Sequence, residues 1–395
     1  MRPAPASWRG AWEAGRSFGT GVKALPHPAP PSESGTACRA KIAAMLAGGL
    51  TSSGIAVWFG AAGIGWQVVA GLPALLPAVA VHVLQLLASA RAWAALIEPA
   101  TPPDAPLPPA GLIFRARWVR EAVNSLLPVA QIGGSLAAIR VVTARSRTEP
   151  AAAGASATVD LAMEVATQVA FLAAGLGCAV LLGAEVDALR WSGWAAVTGV
   201  LAVAALVAVQ RFGLLQLISA LGRRLSPFGT GFVVPGLHDA LVVIYADRSA
   251  LARAGTWHFL SWSLGAAEVW IVLWVLGQPV GPGQAYAIES LGLAARSAGF
   301  AIPAGLGAQE AGFLFAGGLF GVPPDQAIAL SMLKRLRELA VGLPGLLAWH
   351  WAERRNLLAR GAAADQPGNG DQSGAALPAA LRIGANPGCI PQERD

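Results

Sequence analysis

Four groups of polar residues stand in stretches that are otherwise apolar, and these groups could hold a polar ligand or move a proton. Glu289 and Arg296 are seven residues apart, which puts opposite charges on one helical face two turns apart. They form either a structural ion pair or a site where Arg296 meets a lipid headgroup, since the planar guanidinium fork matches phosphate and carboxylate. Asp160, Glu164 and Gln168 follow i, i+4, i+8 spacing and form one stripe. Asp160 lies either at the membrane interface or in the interior, and the deeper Glu164 is expected to pair across the bundle. Gln309 and Glu310 follow Pro303-Ala304-Gly305-Leu306-Gly307, so a helix restarting there would present free N–H groups and a positive dipole end. Glu310 is then either the cap of that helix or a titrating group. Lys334, Arg335, Arg337 and Glu338 form the fourth group, with Lys334, Arg337 and Glu338 on one face. Three cations beside one carboxylate call for a further partner, which would be Glu310, Glu289 or an anionic ligand.

The elements that must position these residues are apolar but broken. Residues 124–140 (NSLLPVAQIGGSLAAIR) are interrupted at Pro128, Gly133 and Gly134, and offer Asn124, Gln131 and Arg140 as candidate lipid contacts. Residues 299–324 (GFAIPAGLGAQEAGFLFAGGLFGVPP) are interrupted at Pro303, Gly305 and Gly307. A helix from 324 to 353 would be about 45 Å long, with the Lys334–Glu338 cluster near its middle and a kink expected at Pro344. Irregular backbone at membrane depth survives only where it is buried in protein or lines a polar cavity. Broken segments in corresponding positions of two halves point to a transporter-type binding site.

Composition places the chain in a membrane. Of 395 residues, 55% are apolar and 13% charged, against about 25% charged in soluble domains. Apolar runs predict spans at 44–62, 73–96, 157–183, 193–211 and 256–277, followed by a more complicated region at 283–353. The expected fold is an all-α polytopic helix bundle of about six to eight spans with broken or re-entrant helices. Region 283–321 reads either as two spans or as a hairpin dipping in from outside, the hairpin being slightly favoured. The first broken segment has basic residues at both ends and reads as re-entrant from the cytoplasm, so two hairpins from opposite sides would make an inverted repeat.

The net charge of +6 reads as topology rather than a nucleic-acid footprint. Basic residues gather in the N-terminal tail, around the first broken segment (Arg115, Arg117, Arg120, Arg140, Arg145, Arg147), in the connection 211–255, and after Arg354. The short loops at 63–72 and 278–283 have none, so both termini are expected in the cytoplasm of a bacterial inner membrane. Residues 1–41 and 356–395 read as disordered tails flanking a lipid-handling domain over 42–355.

Ordinary enzymatic patterns are missing. The three cysteines are isolated, and no histidine pair has zinc-protease spacing. No phosphate-binding GxxxxGK[ST] motif or GxSxG nucleophile elbow occurs. The reading therefore expects no metal, no cofactor and no self-contained catalysis.

Residues 124–134 (NSLLPVAQIGG), 302–312 (IPAGLGAQEAG), 319–324 (LFGVPP), 334–339 (KRLREL) and 343–345 (LPG) resemble the transmembrane-region family of lysylphosphatidylglycerol synthases. The resemblance covers roughly 42–355, and the wording of the first motif is most similar to the hopanoid-biosynthesis-associated branch. It implies a multi-span lipid-handling protein, with membrane lipids (hopanoid or phospholipid) as partners beside proteins of hopanoid synthesis or lipid export. In the full-length synthases aminoacyl transfer belongs to a further soluble domain. Only 42 residues follow position 353 here, so aminoacylation is not expected. The family's first segment often carries an acid after its glycine, where this chain has Gly133-Gly134-Ser135. Its second often reads GGLGxxE, and here Ala304 replaces a glycine while Glu310 is kept. The leading expectation is lipid translocation; a membrane-embedded lipid-modifying enzyme using Glu310 or Glu164 and a non-catalytic scaffold are the alternatives.

Overall fold

The computed structural model describes residues 61–126, 132–184, 197, 201, 236–299 and 307–364, with side chains up to 351. Residues 1–60 and 365–395, the expected spans 44–62 and 193–211 (apart from a few helical positions), Pro128, Gln131, Pro303 and Gly305 lie outside the described residues, while 356–364, expected as the start of a disordered tail, continue as helix. Everything regular among the described residues is helical, so the fold is an all-α membrane bundle. In chain order the helices are α1 (Ala61–Gly71), α2 (Leu75–Ala100), α3 (Ala110–Leu126), α4 (Ile132–Arg145), α5 (Pro150–Leu181), α6 (Leu237–Ala246), α7 (Arg248–Val275), α8 (Pro282–Ala298), α9 (Ala308–Gly318) and α10 (Pro324–Ala364).

Three described stretches are long and apolar enough to cross a membrane: Gly63–Ala100, Pro150–Leu181 and Arg248–Val275. The first corrects the expected loop at 63–72, which is helical and joins α2 through a one-turn 3-10 segment at Leu72–Ala74. Pro73 sits in the first turn of that segment, where its missing N–H costs nothing. The connection 211–255 is likewise part helix, holding α6 and the start of α7. Large apolar side chains such as Trp66, Leu76, Trp274, Leu347 and Trp351 face outward, as expected of a surface solvated by lipid tails.

Helix α7 starts eight residues before the expected span because Asp247 caps it. The Asp247 carboxylate accepts hydrogen bonds from the N–H groups of Ala250 (2.9 Å) and Ser249 (3.0 Å) and from the Ser249 hydroxyl (2.8 Å). These bonds, the Ala250 N–H first, hold its pKa below the usual aspartate value. Its contribution is therefore full above the unfolded-state value near 4 and is lost as pH falls through the lower folded value. Asp247→Ala is expected to cost about 1 kcal/mol at neutral pH, with the gap to wild type closing on acidification in a pH series of thermal melts.

Both broken segments are antiparallel hairpins. In the second, a Cβ on Gly299 would lie 2.6 Å from that of Ala308, and one on Gly312 would lie 2.5 Å from that of Ala295 and 3.1 Å from the Gly292 backbone. Residue numbers rise along α9 as they fall along α8, so the chain turns back between 299 and 308. In the first, the Asn124 side-chain oxygen accepts the Gly134 N–H at 3.0 Å and Arg120 Nε donates to Ser135 at 3.2 Å. Ile113 and Ala116 pack in one cluster with Ala138 and Val142, which fixes the same antiparallel sense. At 1.5 Å per residue α4 is about 21 Å long and α9 about 17 Å, both short of the roughly 30 Å apolar core. Antiparallel packing of α8 on α9 fits both topologies open for 283–321, two spans or a hairpin.

Helix α5 acts as a ruler for depth. Ile113 clusters with Ala157, and Arg117 and Arg120 pair with Asp160 and Glu164, so α3 runs parallel to α5 and its tip passes beyond residue 164. Gly283 approaches Leu182, Gly175 abuts Ser290, and Gln168 donates to Ser297 at 2.5 Å, so α8 runs antiparallel to α5. The hairpins thus enter from opposite ends of α5, and their tips arrive near the same level, close to its midpoint. Helix α10 binds them in turn: Ser331 and Arg335 meet α9, Glu338 meets α8, Gly342 meets Leu126, and Gly345 meets Trp118 of α3.

Candidate functional site

The charged side chains inside the bundle form two clusters. In the first, Arg117 Nη1 lies 2.5 Å from Asp160 Oδ2 and its Nη2 3.2 Å from Glu164, while Arg120 Nη2 lies 2.5 Å from Glu164 and its Nη1 3.4 Å from Asp160. The other Asp160 oxygen meets His258 Nε2 at 2.8 Å, and Arg117 Nε donates to Ser89 at 3.0 Å. Two guanidinium forks therefore bridge two carboxylates one helical turn apart, a spacing the i, i+4 stripe supplies. Asp160 is buried within the protein at this junction, 3% exposed. The same pairing corrects the reading of Arg117 and Arg120 as loop charges: both are buried on α3, satisfying acids of α5.

The second cluster surrounds α10. Lys334 Nζ lies 3.0 Å from both oxygens of Glu289 and 3.4 Å from Glu268, and Arg337 Nε donates to Glu268 at 2.8 Å. Arg337 Nη1 also meets His82 Nδ1 at 2.8 Å. Arg296 donates to Glu338 and, at 3.0 Å, to Gln309, whose amide donates to Ser331 at 2.9 Å. Glu289 and Arg296 therefore do not pair with each other along α8. They turn to successive turns of α10, Glu289 to Lys334 and Arg296 to Glu338.

Glu310 is held in a capping geometry. One oxygen accepts the Gly307 N–H at 2.7 Å, and the other accepts from Arg335 Nε at 2.8 Å and from Ser331 at 3.3 Å. Gly307 has φ +83°, a left-handed conformation that glycine adopts without steric cost. The helix restart that the PAGLG break implies is thus closed by its own acid at N3.

Four cations of this cluster (Arg296, Lys334, Arg335, Arg337) are ion-paired with four carboxylates (Glu268, Glu289, Glu310, Glu338). The excess positive charge expected from residues 334–338 is compensated from within the protein. Glu268 of α7 is the partner the sequence reading passed over. It stands in the apolar run GAAEVWIV, where any ionisable residue is a candidate by cost alone, and that rule would have found it. His82, in the run AVAVHVLQLL, carries the same signal.

Of the remaining expected contacts, Asn124 closes the first hairpin onto Gly134, a Cβ on which would strike the Arg120 carbonyl and the Asn124 amide. Gly133 and Arg140 are half-buried on α4. Pro344 stands inside α10, which continues past it as helix to Ala364; Trp118 Nε1 donates to the Val341 carbonyl in the preceding turn at 2.8 Å. The hairpin tips bring Arg296, Ser297 and Gln168 to one level with Glu338 and Glu164. The arrangement joins two inserted hairpins, a charge-balanced interior and partly open polar groups at mid-depth.

A family model described as the lysylphosphatidylglycerol synthase TM region matches residues 45–345. No curated protein and no solved structure matches the chain.

Proposed function

The chain belongs to the lysylphosphatidylglycerol synthase transmembrane-region family, and from that premise we propose that it carries a lipid through the bilayer, as a member of the hopanoid-biosynthesis-associated branch. The cargo in this reading is a hopanoid, moved between leaflets of a bacterial inner membrane or handed on towards the outer membrane. The observation that carries the proposal is the pair of hairpins entering from opposite ends of α5 with tips at one depth. Inverted pairs of broken helices are how secondary transporters build a site near the midplane. Arg296, Gln309, Glu338 and Asn124 stand at or beside those tips, and the polar groups among them would meet the headgroup while apolar walls take the rings. Glu289 with Lys334 and Glu310 with Arg335 hold the second hairpin to α10, and Arg337 ties α10 to α7 and α2. Both termini on the cytoplasmic side follow from the distribution of basic residues. Lipid partners, and proteins of hopanoid synthesis or export, belong to the same reading.

The test is lipid analysis of separated inner and outer membranes with and without the gene. The proposal expects unchanged total hopanoid and an outer-membrane deficit in the deletion. Loss of one lipid species with build-up of its precursor would mean chemistry instead of transport.

A further inference from the structure

The charge arrangement at the hairpin tips carries a statement about the cargo's headgroup, and it rests on the transport reading above. Every cation of the two clusters described is matched by a carboxylate, so none of them is left over to meet an anion. Among the described residues, the ion-paired groups with access at the tip level are Glu121, Arg296, Glu164 and Arg335, whose side chains are 41%, 23%, 20% and 15% exposed. The most open of the four is an acid. Glu121 lies on α3 one turn beyond Arg117, on the hairpin that ends at the tip, and it acts electrostatically on both Arg296 and Arg337. Among the described residues its ion-pair contact is His82, at 4.0 Å, which counts only when that imidazole is protonated. Arg296, the more open of the two cations there, already gives an N–H to Gln309 and another contact to Glu338, and Arg335 is paired with Glu310.

We infer that the site takes an uncharged, hydroxyl-bearing headgroup and rejects phosphate, with Glu121 as the specificity-determining contact. A hydroxyl donates to a carboxylate and accepts from a guanidinium, and adds no charge to a balanced interior. A phosphate brings a negative charge to a place whose most open group is already negative. At membrane depth an uncompensated charge is costly, so the discrimination is large. The broken segments themselves add no charged residue to offset it, since residues 127–131 read LPVAQ and 300–306 read FAIPAGL.

The experiment reconstitutes the full chain in phosphatidylcholine vesicles and follows two tail-labelled probes, a monoglycosyl diacylglycerol and phosphatidylglycerol, by quenching of the outer leaflet. The glycosyl lipid is expected to cross at least about tenfold faster, equivalent to about 1.4 kcal/mol. Glu121→Lys is expected to raise the phosphatidylglycerol rate and reverse the order, and the milder Glu121→Gln to narrow the gap. Equal or faster movement of phosphatidylglycerol by the unaltered protein would overturn the headgroup inference alone. Movement of neither probe would overturn the inference that a hydroxyl-bearing headgroup is what the site selects, while the transport reading stands or falls on the membrane lipid analysis.

Discussion

Alanine at Glu268 is expected to lower stability by about 3–5 kcal/mol, because it strips the buried Arg337 of the carboxylate it pairs with in a low-dielectric interior. Lys334 keeps Glu289, but Arg337 loses the carboxylate that faces its Nε and retains His82 and its electrostatic interaction with Glu338. Glu268 is 1% exposed, so no solvent reaches the vacated space from the Glu268 side. The control is Glu98→Ala, which removes the Arg253 partner of an ion pair about half exposed on both sides. That pair is worth about 0–1 kcal/mol. Thermal unfolding of the purified protein in detergent should show a large drop for Glu268→Ala and almost none for Glu98→Ala. Similar shifts for the two would mean that the second cluster is hydrated and is not a structural clamp.

A comparable loss is expected at Asp160, for a different reason. Asp160 receives Arg117, Arg120 and His258 at once, and tethers α3 and α7 to α5. Removing it leaves two guanidinium groups to share Glu164, and the penalty is again about 3–5 kcal/mol. Asp160→Asn keeps the shape and one acceptor oxygen, so it should fall between wild type and Asp160→Ala. Arg117→Ala combined with Asp160→Ala should cost less than the sum of the two single changes, since the pair is removed together. Additive losses in that cycle would contradict the direct pairing.

The two clusters explain why hairpin insertion is stable at all. Helices of about 17 and 21 Å cannot satisfy a bilayer by length, so their ends must be held by neighbours. Asn124 on Gly134, Glu310 on Gly307 and Trp118 on Val341 supply side-chain partners to backbone groups near the breaks. Small residues do the rest: Gly292, Gly299 and Gly312 let α8 and α9 approach to backbone contact.

Much of this was legible in the residues. The paired breaks at Pro128–Gly134 and Pro303–Gly307 announced the hairpins, because Pro and Gly inside apolar runs disrupt a straight span. The i, i+4 spacing put Asp160 and Glu164 on one stripe, with Glu164 expected to pair across the bundle, and Glu310 after the break read as either a cap or a titrating group. What was not legible is pairing between elements far apart in the chain. Nothing local to Lys334 says that its acids come from α7 and α8, since ion pairs of this kind depend on which helices pack together. Arg117 and Arg120 misled for the same reason: a basic residue near a predicted loop reads as a topology signal until its carboxylate is seen on α5. The loop expected at 63–72 failed through Gly71 and Pro73, which end one helix and begin the next within a single turn.

The central claim is that the two hairpins enter from opposite faces of the membrane. It is tested by single cysteines placed at their outer ends, in a background with Cys38, Cys178 and Cys389 replaced. Arg147→Cys marks the exposed turn between α4 and α5, and Pro279→Cys marks the exposed turn before α8. A membrane-impermeant thiol reagent is then applied to right-side-out and to inverted vesicles. The account predicts that each position labels in one orientation only, and that the two label in opposite orientations. Labelling of both from the same face would contradict the inverted pair of hairpins and the midplane site built on it.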